Sequence, residues 1–139
     1  MTSALLLDTH IALRLDSGDE RLRPATRGLI DHCWRNGGTV FVSAVTAWEI
    51  AQLASTGRIV LDCAVEDWIE RLAEHPGIEI IPLTHHAVTG AWRLDHRDPA
   101  DWLLIATAIE RACPLITYDA RIIRFGEQHG SQYGFNTAA

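Results

Sequence analysis

The 139-residue chain contains no lysine; all twelve of its basic residues are arginines. That absence removes whole chemistries. A phosphate-binding loop of the Walker type needs its Lys, and Schiff-base catalysis needs a Lys amine. Cysteine is scarce as well: Cys33, Cys63 and Cys113 are odd in number, widely spaced and form no CxxC pair. This argues against a disulfide framework or a structural zinc site and fits free thiols in a reducing cytoplasm. No stretch approaches the roughly 18 consecutive apolar residues that a membrane-spanning helix requires. The N-terminus shows neither a basic region nor a cleavage site, so no secretory leader is expected. A basic excess is also missing, since the net charge is −6. That counts against a simple electrostatic nucleic-acid binder. It does not count against a nuclease, because acids that hold a cation still enter the formal charge in full.

The length suits a single domain spanning 1–139 with a real core. ALLLD (4–8) is an apolar run of strand length closed by an acid, and Thr9 is placed to cap a short helix through Leu15. A helix is predicted from Pro24 to Asn36, with Pro near its first position and Gly37-Gly38 as its stop. TVFVS (39–43) is β-branched and aromatic, a good strand. VTAWEIAQLAS (45–55) reads as a helix apolar nearly all round, hence largely buried. Val65, Trp68, Ile69 and Leu72 share one face of an amphipathic helix. GIEIIP (77–82) is the next strand, THHAVTGAWRL (84–94) a helix, and ADWLLIATAIERA a helix with Pro99 in its first turn. PLITYD (114–119) is a strand ending on an acid, IIRFG a short last helix, and the tail from Glu127 is weakly specified. Strands alternating with helices predict an α/β fold with a mostly parallel central sheet flanked by helices. In such sheets sites form at the carboxyl ends of strands, near a topological switch point.

Four carboxylates stand alone in apolar surroundings. Asp8 is the only ionisable acid or arginine before Arg14, Glu49 the only one between Arg35 and Arg58, and Asp119 the only one between Arg111 and Arg121. Asp101 opens a helix whose next acid is Glu110, and Asp98 sits just upstream across Pro99. An ionised carboxylate away from water is costly unless paired or metal-bound. Helix capping explains any one of them, Asp98 before Pro99 most readily. Four at the ends of strands and near the starts of helices invite a common account. Converging like charges raise one another's pKa, and a hard cation such as Mg²⁺ or Mn²⁺ relieves that through oxygen ligands. A phosphohydrolase with a second Asp two residues after the first is a rival on a similar fold, but that position is His10.

Four blocks carry a resemblance: LLLDTHIAL (5–13), VSAVTAWEIAQLASTGRI (42–59), HRDPADWLLIATAIE (96–110) and PLITYD (114–119). In this order and spacing the sequence resembles the PIN-domain ribonucleases, and within them the VapC-type toxins of toxin–antitoxin pairs. The resemblance implies a single PIN-like domain with its acidic site at the carboxyl ends of strands. It implies Asp8, Glu49, Asp101 and Asp119 as the acidic quartet, with Asp8 and Asp101 as direct ligands of Mg²⁺ (or Mn²⁺) and Asp98 as an ambiguous fifth acid. Thr9, Ser43 and Thr117 would be hydroxyls at the rim of the site. Arg97 is a substitute for the arginine that many relatives carry where this chain has Trp102; Arg14 and Arg121 are further candidates to meet an RNA backbone. The activity implied is hydrolysis of a structured RNA, a tRNA or rRNA, to 5′-phosphate and 3′-hydroxyl ends. Its implied partners are a cognate VapB-type antitoxin and a second copy of the chain, in the cytoplasm. The alternative is a PIN-like module that binds RNA or protein without cutting.

Overall fold

A computed structural model describes residues 3–94 and 98–139. Seven helices and five strands alternate along them. Strand β1 (Ala4–Leu7) leads directly into α1 (Thr9–Ser17); α2 (Pro24–Arg35) and β2 (Thr39–Ser43) follow. Next come α3 (Ala44–Ser55), α4 (Val65–Ala73) and β3 (Ile78–Ile81). The last part holds α5 (His85–Trp92), α6 (Pro99–Arg111), β4 (Leu115–Ile116), α7 (Ala120–Tyr133) and β5 (Thr137–Ala138).

The sheet has the order β3-β2-β1-β4-β5, and every pair is parallel. The chain first builds outward from β1 to β2 and β3, then returns across β1 to lay down β4 and β5. The order therefore reverses between β1 and β4, where Leu6 pairs with Leu115 and Leu7 with Ile116. At such a point the helices leave in opposite directions and open a crevice at the carboxyl ends of the strands.

Alternate side chains of β1 serve two cores, as strand geometry requires. Leu5 and Leu7 pack with Ile11, Ile30, Ile50 and Trp68, beneath α1, α2 and α4. Leu6 packs on the other face with Leu104, Ile105, Leu115 and Ile122, beneath α6 and α7. A buried strand with helices on both faces has to read as an unbroken apolar run, and ALLL does.

Helix α3 is less buried than its composition suggests. Only Val45, Thr46 and Ile50 are buried, and Trp48 is 58% exposed. Apolar composition without a polar stripe does not say which face turns inward. The last helix has 14 residues, nine more than the predicted IIRFG stretch, beginning two residues before it and ending seven after, and β5 was not foreseen. A Cβ on Gly130 would collide with the carbonyl oxygen of Phe135, so glycine lets the chain fold back there. Gly134 ends the helix at φ +68°, and β5 then pairs with β4.

Candidate active site

Asp8 stands one residue beyond β1 and caps α1, its Oδ1 accepting the Thr9 backbone N–H at 2.7 Å. The cap is thus Asp8 rather than Thr9. Its other oxygen, Oδ2, accepts from the Thr117 hydroxyl at 2.7 Å. Thr117 follows β4, so this bond spans the switch point. The same hydroxyl oxygen accepts the Asp119 backbone N–H at 3.0 Å. Burial pushes the Asp8 carboxyl above its usual range, against the opposing hydrogen bonds from Thr117 and Thr9.

A second hydroxyl pair supports Glu49. Thr9 Oγ1 donates to Glu49 Oε1 at 2.6 Å and lies 3.1 Å from Thr46 Oγ1. A threonine has one hydroxyl proton; with that of Thr9 given to Glu49, Thr46 donates to Thr9. Burial raises the Glu49 carboxyl, the Thr9 bond opposes the shift, and the charges of Asp8 and Asp98 add to it.

The two remaining helix starts bring three acids. Asp119 caps α7, its Oδ1 accepting from the Arg121 and Ile122 amides at 2.8 and 3.4 Å. Asp98 caps α6, accepting from the amides of Ala100 and Asp101 at 3.1 and 3.5 Å. Asp101 sits in the first turn of α6, and its carboxylate comes within 4.0 Å only of the exposed Arg121 guanidinium among the described cations. The Asp101 carboxyl is pushed up to about 7, by burial first and then by the charges of Asp98, Asp119, Asp8 and Glu49. Asp101 therefore feels the other four acids, two of which, Asp8 and Asp119, lie just beyond the carboxyl ends of β1 and β4.

Several details differ from the sequence reading. Thr9, Ser43 and Thr117 are all fully buried, and Thr9 and Thr117 hydrogen-bond the carboxylates of Glu49 and Asp8. Ser43 caps α3 by accepting the Val45 amide at 3.1 Å, and its recorded contact is with backbone, not with an acid. Arg97, with His96, lies outside the described residues. Trp102, standing where many relatives carry arginine, packs edge-on against Phe125 with ring centroids 4.7 Å apart. Among the described residues no three His, Cys, Asp or Glu side chains are gathered closely enough to enclose an ion by themselves. Thr46 was missed. Its spacing of three from Glu49 on one helix was the available signal, since i and i+3 share a face.

The family model described as PIN domain matches residues 5–128, nearly the whole chain. The chain belongs to the PIN-domain family. This PIN domain is 34% identical over 123 residues to Ribonuclease VapC22 of Mycobacterium tuberculosis, covering 86% of this chain and 90% of that one. Its fold matches the VapBC2 complex of Rickettsia felis bound to a promoter DNA fragment, with a TM-score of 0.65, 12% identity and 97% of each chain covered. It also matches a toxin–antitoxin complex from Klebsiella pneumoniae, with a TM-score of 0.58, 19% identity and 96% of each chain covered. At those identities the structural matches speak for the fold, and the PIN-like α/β architecture expected from the sequence is the one found.

Proposed function

We propose that this PIN domain is a metal-dependent endoribonuclease acting as the toxin of a VapBC-type toxin–antitoxin pair. The observation that carries the reading is that Asp8 and Asp119 stand just beyond β1 and β4, linked through Thr117, while Asp101 feels the charges of all four other acids, on a chain 34% identical to a named ribonuclease. A protein gains nothing in stability by assembling unpaired acids. Such a cluster makes sense for a ligand that is cationic, or for chemistry that needs one.

The donor set fits a hard divalent cation. It consists of carboxylate oxygens, and the elevated Asp101 carboxyl marks a deficit of positive charge. Asp8 and Asp101 would hold Mg²⁺ or Mn²⁺ directly; Glu49 and Asp119 would ligate through water or position the attacking water. Asp98 has both of its recorded hydrogen bonds directed to the start of α6, which favours Asp101 over it as the third acid. When bound, the cation neutralises the cluster, polarises the scissile phosphate and lowers the pKa of a nearby water. Thr117 fixes the Asp8 carboxylate in one orientation, and the Thr46–Thr9 relay does the same for Glu49. Water attacks phosphorus, the P–O3′ bond breaks, and the products carry a 5′-phosphate and a 3′-hydroxyl. The substrate class is a structured RNA such as a tRNA or rRNA. The relatives solved as toxin–antitoxin complexes support a VapB-type antitoxin as partner. A homodimer, a cytoplasmic location and a single domain over 1–139 complete the proposal.

The test is to incubate total bacterial RNA with the antitoxin-free chain and map new 5′-phosphate ends. Wild type is expected to give discrete ends with Mg²⁺ or Mn²⁺, and none with EDTA or in Asp8→Asn. Ends that persist in Asp8→Asn would overturn the assignment of the site. A folded wild type that produces no ends would favour the binding-module alternative.

A further inference from the structure

Tyr118 lies between Thr117, which holds the first acid of the cluster, and Asp119, which is the last. Its ring carries two arginines. The Arg23 guanidinium sits 4.1 Å from the ring centroid and that of Arg14 5.6 Å, both within cation–π range. The ring is fixed at its far end: the phenol oxygen accepts the Arg23 backbone N–H at 2.9 Å and lies 2.6 Å from the hydroxyl of Thr26, itself fully buried. Three separate elements, α1, the start of α2 and the loop after β4, thus meet on one aromatic side chain.

Stacking differs from ion pairing in what it leaves over. A guanidinium held by a ring face keeps its charge and its edge N–H donors. Among the described residues neither Arg14 nor Arg23 makes an ion pair, whereas Arg21, Arg71 and Arg121 all do. The acid that feels the Arg14 charge, Asp19, is already bonded to Arg21 through two nitrogens. Arg14 also borders a groove of about 1000 Å³ that includes His10, two residues from Asp8, and Arg58.

We propose that Tyr118 is a platform that presents Arg14 and Arg23 as a phosphate clamp for the RNA strand flanking the carboxylate cluster. The inference rests on the ribonuclease reading above and adds where the strand runs. An RNA whose scissile phosphate lies at the acids must carry its neighbouring phosphates across the adjoining surface. There, two uncommitted planar forks suit the oxygens of a phosphate. Tyr118 acts as a positioning residue, because the arginines would touch the substrate and it would not.

The test measures binding of a short fluorescent mixed-sequence RNA to the full chain in a Glu49→Gln background. Asp8 and Asp101 stay in place, Mg²⁺ is held constant and KCl is varied. Arg14→Gln, Arg23→Gln and Tyr118→Leu are each expected to weaken binding about fivefold at 0.1 M salt. Each should also lower the slope of log affinity against log salt by about 0.7, the increment for one single-strand phosphate contact. Tyr118→Phe keeps the ring and is expected to keep both values. Unchanged affinity and slope in a folded Arg14→Gln/Arg23→Gln double variant would overturn the clamp while leaving wild-type cleavage, and so the ribonuclease reading, intact. Equal losses in Tyr118→Phe and Tyr118→Leu, with lowered melting temperatures, would reduce Tyr118 to fold support and overturn the platform. Loss of antitoxin binding with RNA binding retained would make this a protein-docking surface instead. A wild type that neither binds nor cuts RNA would remove both proposals.

Discussion

Two regions of this molecule treat their acids in opposite ways. Around α1 and α4 three acids are held by arginines: Asp19 pairs with Arg21 at 2.7 Å, and Asp16 and Asp62 share Arg71 at 2.9 and 3.3 Å. The Arg21 bonds lower the Asp19 carboxyl to about 2, and Arg71 lowers Asp62. At the β1–β4 switch point the neighbours of an acid are hydroxyls, amides and other acids, with one exposed arginine, Arg121, 4.0 Å from Asp101, and Asp8, Glu49 and Asp101 are all raised. The first region is complete as it stands. The second leaves its raised carboxyls with little positive charge nearby, a deficit that a cation would relieve on the proposed reading.

The strongest way to break this contrast is to remove one acid from each region. Asp101→Asn is expected to lower RNA cleavage by at least about 10³-fold, on the scale of losing an essential electrostatic group. It should also stabilise the cation-free protein by about 1 kcal/mol, since relieving even part of a raised carboxyl's repulsion is worth that much after solvent screening. A drop in melting temperature would contradict the account.

Divalent cation should sharpen the contrast next. A ligand present at about 100 times its dissociation constant stabilises by about 2.7 kcal/mol. Mn²⁺ is therefore expected to raise the wild-type melting temperature by several degrees and that of Asp8→Asn by much less. Equal shifts in both proteins would place the ion elsewhere.

Thr117→Val comes third. It removes the donor to Asp8 and the acceptor for the Asp119 amide together. Cleavage is expected to fall about 10- to 100-fold, the usual cost of losing a group that orients a metal ligand. Activity unchanged in a folded Thr117→Val would mean that Asp8 needs no such support.

The pH dependence of stability gives the signs. Asp101 is raised in the fold, so its contribution is fully present below about pH 4 and is lost as pH rises towards 7. Asp19 is lowered, so its contribution is present above about pH 4 and is lost as pH falls towards 2. Melting curves without metal should therefore decline between about pH 5 and 7, and Asp101→Asn should flatten that decline. The smallest effect is expected for Arg21→Gln, an exposed, solvent-screened pair whose loss should leave the melting temperature nearly unchanged and cleavage unchanged. A large loss of activity there would show that the paired region also belongs to the site.

Much of this was legible in the chain, for physical reasons. TVFVS matches β2 residue for residue, because β-branched residues between glycines and a capping serine leave little else. The acids were legible because a carboxylate isolated in apolar sequence has to be accounted for. The hydroxyls were read as lying at the rim of the site, and nothing local says that Thr9 and Thr117 meet partners 40 and 109 residues away. The tail failed for the same cause. Gly126 and Gly130 lower helix propensity, but Ile122 and Phe135 are buried in the core and hold α7 in place. Tyr118 looked like a strand residue, and only the return of α2 alongside it makes it a junction.

The pairing of Leu6 with Leu115 has a consequence in time as well as space. During synthesis β1 emerges first, yet its neighbour on one side is written more than a hundred residues later. Until then Asp8 has no Thr117 to orient it and no Asp119 beside it. An incomplete chain on the ribosome therefore carries the first acid but not the assembled cluster. The parallel order of the sheet thus delays the arming of the molecule until its last quarter has been made.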